Sequence, residues 1–401
     1  MNHVVVVGAS LAGLRAAEQL RTLGFAGGVT IVGEEPHLPY DRPPLSKRLL
    51  SGEWEPDRIA LRRPDDMGAL DVTWRTGVAA TRLDTDARTV ALSDGSTLGY
   101  DGLVIATGAT PRRLPGQERH AHVHQLRTLD DALALRRELV AGGRRLVVIG
   151  AGFIGLEVAA TARQLGNEVL VLEAEQAPMM RALGAEMGAA VALVHTDHGV
   201  NISCGIGVAG FEADAVLLDD GGSERADLVV VGVGVAPAVA WLDGSGLRVD
   251  NGVVCGADLN VGVPRVYAAG DVARWYNSLF DEVMRVEHWT NAAEQGAAAA
   301  SNLLAELAGQ PTADYAPVPF FWSEQYDRRI QFLGHVASDD GVEVVAGSVD
   351  ARRFVALYGR GGRLRGVLGL NMPRMVMPFR AHLQNRIGWN DALAIAAELA
   401  P

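Results

Sequence analysis

Leu146-Val147-Val148-Ile149-Gly150-Ala151-Gly152-Phe153-Ile154-Gly155 decides the architecture of this chain. Its first four residues are apolar without alternation, which predicts a strand buried on both faces, as in a parallel sheet. The glycines then turn the chain into a helix that continues through Leu156-Glu157-Val158-Ala159-Ala160. A second apolar run, Val169-Leu170-Val171-Leu172, ends at Glu173. Strand, Gly-x-Gly-x-x-Gly turn, helix and acid-ended strand are the parts of a βαβ unit that cradles a dinucleotide. Missing side chains let a phosphate reach backbone N–H groups, the helix dipole favours the anion, and the acid accepts hydrogen bonds from a ribose.

The same pattern opens the chain. Val4-Val5-Val6-Val7-Gly8-Ala9-Ser10-Leu11-Ala12-Gly13 leads into a helix through Leu20, and Val29-Thr30-Ile31-Val32 ends at Gly33-Glu34-Glu35. Ser10 replaces the middle glycine. Two such units imply two nucleotide sites. Glu34, nearer the strand end, reads as the ribose ligand and Glu35 as exposed. In the second unit Glu173 repels a 2′-phosphate, and Ala174, Glu175 and Gln176 bring no cation to offset it, so NADH is expected over NADPH.

Further apolar strands ending in glycine turns occur at Leu103 to Ala109, at Asp227 to Gly234 and at Val266 to Asp271, so the chain leaves and re-enters its first domain. Beyond about residue 317 aromatic and β-rich stretches take over, closing on an expected helix from Asp391 to Leu399. The expected fold is α/β, with two Rossmann-like nucleotide-binding domains and a smaller α+β C-terminal domain. The limits expected are 1–114 with 242–317 for the first, 115–241 for the second and 318–401 for the third.

Composition narrows the function. The chain has 401 residues, a net charge of −12 and 48% hydrophobic residues without a long apolar run, which predicts a soluble multidomain protein without membrane spans. Its acidity argues against nucleic acid. The apolar run Val4 to Val7 is too short for a leader, so a cytoplasmic location is expected. Cys204 and Cys255 are too few for a metal cage and too far apart for a local redox pair, and read as small buried residues. His195 and His198 read as helix-surface residues rather than ligands, and His288 as structural.

The chain resembles the flavin-dependent ferredoxin reductases of the putidaredoxin reductase and rhodocoxin reductase type. The resemblance rests on the Gly8 to Gly13 turn, on Pro39-Tyr40-Asp41-Arg42-Pro43-Pro44-Leu45-Ser46-Lys47, on the second glycine turn with Leu156-Glu157, and on Tyr267-Ala268-Ala269-Gly270-Asp271. Ala106-Thr107-Gly108 and Phe321-Trp322-Ser323 extend it over essentially the whole chain.

It implies a glutathione-reductase-like arrangement holding FAD and NADH. The Gly8 to Gly13 turn with Ser10, Ala12 and Glu34 would meet the pyrophosphate and ribose of FAD. Thr107 and Gly108 belong to the same cofactor set, and Asp271, beside Gly270, would meet the ribityl chain. Arg42 and Arg127 would lie near the diphosphate or adenosine, and main-chain groups of Ala80 and Trp289 would add contacts. Gly150, Gly152, Phe153, Ile154, Gly155 and Glu173 would hold NADH. Lys47, near flavin N5 and paired with Glu157, would be the catalytic pair, with a structural ion pair as the alternative. Phe153 stands where many relatives carry tyrosine and either gates the flavin face or packs the helix. Trp322, with Phe320 and Phe321, resembles an aromatic strip at the flavin edge, or is core.

The implied activity moves a hydride from NADH to flavin and then single electrons to a [2Fe-2S] or similar ferredoxin serving a cytochrome P450-type monooxygenase. A dioxygenase reductase component or a rubredoxin reductase is the alternative within enzymes. Outside them, a binding protein resembling apoptosis-inducing factor uses the same parts. No cysteine stands at Pro43-Pro44-Leu45-Ser46, where flavin disulfide reductases carry one. A monomer is expected, meeting its acidic partner through Arg328 and Arg329 or Arg374, Arg380 and Arg386, unless those are simply a solvated face.

Overall fold

The computed structural model describes residues 3–399. The chain divides into two compact units, one within Met1–Asp41, Ile59–Thr110 and Ala236–Pro319, the other within Arg42–Arg58, Pro111–Val235 and Phe320–Pro401.

In the first unit the strand His3–Val7 lies at the centre of a five-stranded sheet, between Gly102–Ile105 and Gly28–Gly33, with Val266–Ala268 and Thr73–Thr76 at the edges. Every pairing is parallel. Val4, Val5 and Val6 are fully buried, which is why the strand is apolar without alternation. The helices Leu11–Thr22 and Trp289–Leu307 pack closely because Gly296 has no side chain: a Cβ there would sit 2.2 Å from the Ala12 carbonyl oxygen. The apolar stretch from Leu103 to Ala109 is two strands, Gly102–Ile105 and Ala109–Pro111, separated at Thr107-Gly108, where Gly108 takes a φ of 69°.

The second unit repeats this plan. Arg145–Ile149 is central, flanked by Glu168–Glu173 and Leu228–Val231, with Asn201–Cys204 and Val123–His124 outermost, again all parallel. The unit also contains a five-stranded antiparallel sheet in the order Phe320–Gln325, Arg328–Gly334, Arg363–Leu370, Arg353–Arg360, Gly341–Ser348. The helices Pro373–Val376, Phe379–Gln384 and Trp389–Leu399 follow it. Two Rossmann-like sheets and a C-terminal antiparallel sheet make the fold α/β with an α+β C-terminal part.

The helix Met180–Asp197 is not a surface helix at its C-terminal end. His195 is fully buried, so the expectation of a surface histidine fails there, whereas His198 is exposed and stacks on Tyr326 with ring centroids 3.7 Å apart. The antiparallel sheet covers that end of the helix, and Gln325 supplies the polar partner that His195 needs when buried. Cys255 is buried and its thiol is pushed up to about 12 by that burial, while Cys204 is only half-buried.

Candidate active site

Both glycine turns are shaped by backbone that crowds out side chains. Gly8 and Gly150 take φ values of 129° and 101°, and a Cβ on Gly13 or Gly155 would lie 1.9 Å from the Gly8 carbonyl oxygen or 2.1 Å from that of Gly150. Gly152 differs: a Cβ there would meet nothing within 4 Å. Its backbone therefore opens outward at the N-terminus of the helix Phe153–Gln164, where an anion is favoured.

In the first unit the sheet's topology brings separate motifs to one end. Gly8 runs beside Ala106 and Thr107, and Gly270 approaches Ala12, whose Cβ would lie 3.1 Å from one on Gly270. The Thr107 hydroxyl donates to the Ala238 carbonyl at 2.8 Å, and the Gly270 N–H donates to buried Gln295 at 2.8 Å. All lie beyond the carboxyl ends of parallel strands, the place where open α/β sheets take their ligands. The indole N–H of Trp289 donates to Asp41 at 2.7 Å, and Arg285 donates to the Asp271 carbonyl at 3.1 Å. Ala80 begins the strand Ala80–Asp84. Glu34 is exposed, and Glu35 is not: it is half-buried and accepts a hydrogen bond from Tyr40, because Tyr40 is itself buried and needs an acceptor for its hydroxyl.

In the second unit Glu173 bends back on the turn. Its Oε2 accepts from the Ala151 N–H at 2.6 Å and its Oε1 from the Glu175 N–H at 2.9 Å, while Arg181 reaches Glu175 at 3.4 Å. Cys204 pairs with Glu173 across two strands, and burial, with the glutamate's charge, raises its thiol above the ordinary value. Arg42 donates to the Arg127 carbonyl at 2.5 Å, joining those two residues.

A buried polar cluster surrounds Glu157. The turn Pro43–Ser46 presents Ser46 and Lys47 to the helix Phe153–Gln164, with two prolines fixing its first residues. Lys47 Nζ lies 2.6 Å from Glu157 Oε2 and donates to the Pro43 carbonyl at 3.1 Å. Ser46 Oγ donates to Glu157 Oε2 and Ser323 Oγ to Oε1, both at 2.5 Å. One turn along the helix, Thr161 donates to the Ser46 carbonyl at 2.7 Å and so ties the presenting turn down. Glu157 is 6% exposed, so this buried carboxylate has a donor on each oxygen.

Strand alternation divides the aromatic strip. Phe321 and Ser323 point toward the helix, where Phe321 meets Phe153 edge-on at 4.8 Å. Phe320 and Trp322 stack on each other at 6.0 Å on the opposite face. Trp322 is thus not on the face that meets Glu157, and the three rings do not form one strip. Ile154 is 43% exposed beside Phe153. Ser46 and Ser323 stand in the motifs quoted above without a role of their own, and Gln325 lies outside them. The i, i+2 spacing of two polar residues after Phe321 is the available signal, since residues two apart on a buried strand face one side and each needs a hydrogen-bond partner there.

Residues 2–296 match the family model for pyridine nucleotide-disulphide oxidoreductases, and residues 320–399 match the reductase C-terminal model. The chain is 41% identical to rhodocoxin reductase of Rhodococcus erythropolis over 94% of its own length and 88% of that protein. It is 38% identical to the ferredoxin–NAD(+) reductase component of the anthranilate 1,2-dioxygenase system of Burkholderia cepacia, over 92% of its length and 91% of that protein. The crystal structure of the covalent putidaredoxin reductase–putidaredoxin complex superimposes with a TM-score of 0.91 at 35% identity, covering 99% of each chain. The glycine turns, the Glu157 cluster and this whole-length likeness lead to one assignment: the chain belongs to the pyridine nucleotide-disulphide oxidoreductase family, among the ferredoxin reductases of the rhodocoxin and putidaredoxin reductase type.

Proposed function

We propose that this protein is an FAD-containing reductase that takes electrons from NADH and passes them to a [2Fe-2S] or similar ferredoxin, which in turn serves a cytochrome P450-type monooxygenase. The observation that carries this reading is the presence of two glycine cradles in one chain whose likeness to such reductases spans its whole length. FAD, when bound, supplies the conversion between two-electron and one-electron transfer.

The chain's own residues bind and orient. Gly8, Ser10, Ala12 and Gly13 offer backbone to the FAD pyrophosphate, with exposed Glu34 for the ribose and Thr107, Gly108, Gly270 and Asp271 beside them. Ala80, Trp289, Arg42 and Arg127 complete that set. Gly150, Gly152, Ile154 and Gly155 take the pyrophosphate of NADH, and Glu173 exchanges its bond to Ala151 for the ribose. Lys47 carries a positive charge that favours the reduced flavin, and Glu157 holds that ammonium in place. Phe153 and Trp322 are the aromatic candidates at the flavin.

The division of labour we propose is 1–114 with 242–317 for FAD, 115–241 for NADH and 318–401 as the C-terminal domain. The same proposal takes the protein to be a cytoplasmic monomer. Among the described residues no helix is long and apolar enough to cross a membrane. The dioxygenase-system relative supports a second reading, in which the ferredoxin feeds a ring-hydroxylating dioxygenase. Reconstitution with NADH and either putidaredoxin or a Rieske-type ferredoxin separates the two. Faster reduction of the first carrier supports the monooxygenase branch, faster reduction of the second supports the dioxygenase branch, and reduction of neither rejects the reductase.

A further inference from the structure

Glu157 stands at one end of a chain of hydrogen bonds that the ion pair with Lys47 does not require. Ser323 Oγ donates to its Oε1 at 2.5 Å, Gln325 Nε2 donates to Ser323 Oγ at 3.2 Å, and His195 Nε2 meets Gln325 Oε1 at 2.8 Å. Tyr326 closes the far end, its hydroxyl 3.4 Å from His195 Nδ1. Ser323 and Gln325 are 1% exposed and His195 is 0% exposed, so water does not compete for these bonds.

The chain has a direction. An amide oxygen only accepts, so the His195 nitrogen facing Gln325 must carry a proton, which leaves Nδ1 to accept from Tyr326. The Gln325 amide is thereby oriented with its N–H toward Ser323. A serine oxygen that accepts there turns its own proton the other way, onto Glu157. Reversing the histidine tautomer reverses each link: the amide would flip, its oxygen would take the Ser323 proton, and Glu157 would lose the donor on Oε1.

We propose that His195, Gln325 and Ser323 are positioning residues of the reductase, a one-way donor relay that fixes the Glu157 carboxylate and through it the direction of the Lys47 ammonium. This rests on the reading of Lys47 as the cation that favours the reduced flavin. A core that needed only to be filled would not require it, since well-packed apolar residues of the same volume serve stability as well as buried polar groups. Ser323 and Gln325 lie two apart on one strand, and Glu157 and Thr161 four apart on one helix. The strand's period of two sets Ser323 and Gln325 on one face, which meets Glu157, and the helix's period sets Thr161 beside Glu157, where it holds the Ser46 carbonyl.

The test uses the intact FAD-loaded protein and begins with a readout independent of turnover. Histidine labelled with ¹³C and ¹⁵N, with the His195 signal assigned by its loss in His195→Gln, reports the ring tautomer. A proton on Nε2 supports the relay and a proton on Nδ1 overturns it. The midpoint potential of the bound flavin and its rate of reduction by NADH are then measured in Gln325→Met, Ser323→Ala and Ser323→Thr. The relay predicts a lower potential and roughly tenfold slower reduction in the first two, with recovery in Ser323→Thr, which restores the hydroxyl. If Lys47→Ala is slow while Gln325→Met and Ser323→Ala match the parent in rate and potential, the relay is wrong and the role of Lys47 stands. If Lys47→Ala also matches the parent, the reading of Lys47 itself fails.

Discussion

Lys47 Nζ and Glu157 Oε2 lie 2.6 Å apart, with the lysine side chain 17% and the glutamate side chain 7% exposed. A pair so far withdrawn from water stabilises the fold less than its Coulomb attraction suggests, because both charges are desolvated. Its placement therefore has to be explained by what the ammonium does.

Lys47→Ala is expected to slow reduction of the flavin by NADH by at least tenfold while FAD remains bound, since a preorganised charge contributes mainly where charge develops. Anaerobic stopped-flow absorbance measures the rate, and flavin fluorescence after ultrafiltration measures retention. Unchanged single-turnover kinetics would return the pair to a purely structural role.

Glu157→Ala is expected to cost about 3–5 kcal/mol of stability, because it strands a half-buried ammonium and leaves two serine hydroxyls without their acceptor. Denaturant melts of the two proteins decide it. A loss below about 1 kcal/mol would mean that Lys47 finds another partner.

The two glycines of the second cradle should behave differently. Gly155→Ala puts a methyl against the Gly150 carbonyl and should lower stability by about 1–3 kcal/mol. Gly152→Ala meets no protein atom, so its melting temperature should match the parent while the KM for NADH rises roughly tenfold, one hydrogen bond to phosphate being lost. Equal melting temperatures for all three proteins would refute the crowding at Gly155.

Burial lowers His195 from its ordinary 6.5 to about 4, against a hydrogen bond to Gln325 that raises it and with nearby His198 lowering it further. The unfolded chain binds the proton more readily than the folded one between those values. Stability from this group is therefore full above about pH 6.5 and declines as pH falls toward 4, by about 2 kcal/mol between pH 7 and pH 5. His195→Gln should flatten that part of the profile, read from urea midpoints at the two pH values; an equally steep decline would place the effect on other groups.

The parallel sheets were legible because their central strands are buried on both faces and end in glycine turns. Val4 to Val7 and Leu146 to Ile149 carry both signals. The C-terminal sheet was legible only as a change of composition, and its strand order depends on pairings no local pattern encodes. His195 was misplaced for a related reason: its helix reads as amphipathic only against a neighbour, and that neighbour is a strand that begins far along the chain at Phe320. Trp322 was grouped with Phe321 by adjacency, whereas a strand's period of two sets them on opposite faces. Glu157 is singled out by the family resemblance, as the partner of Lys47, but its serine donors come from separate segments and only the folded chain assembles them.

On the function proposed above, this chain moves electrons from NADH into a bound flavin, with Glu173 selecting the nucleotide. Anaerobic rapid mixing of the purified FAD-loaded protein with NADH or NADPH at equal concentrations tests it most directly. Rapid loss of oxidised-flavin absorbance with NADH and much slower loss with NADPH is the predicted result. A flavin that neither nucleotide reduces, or a protein that holds none, would contradict it.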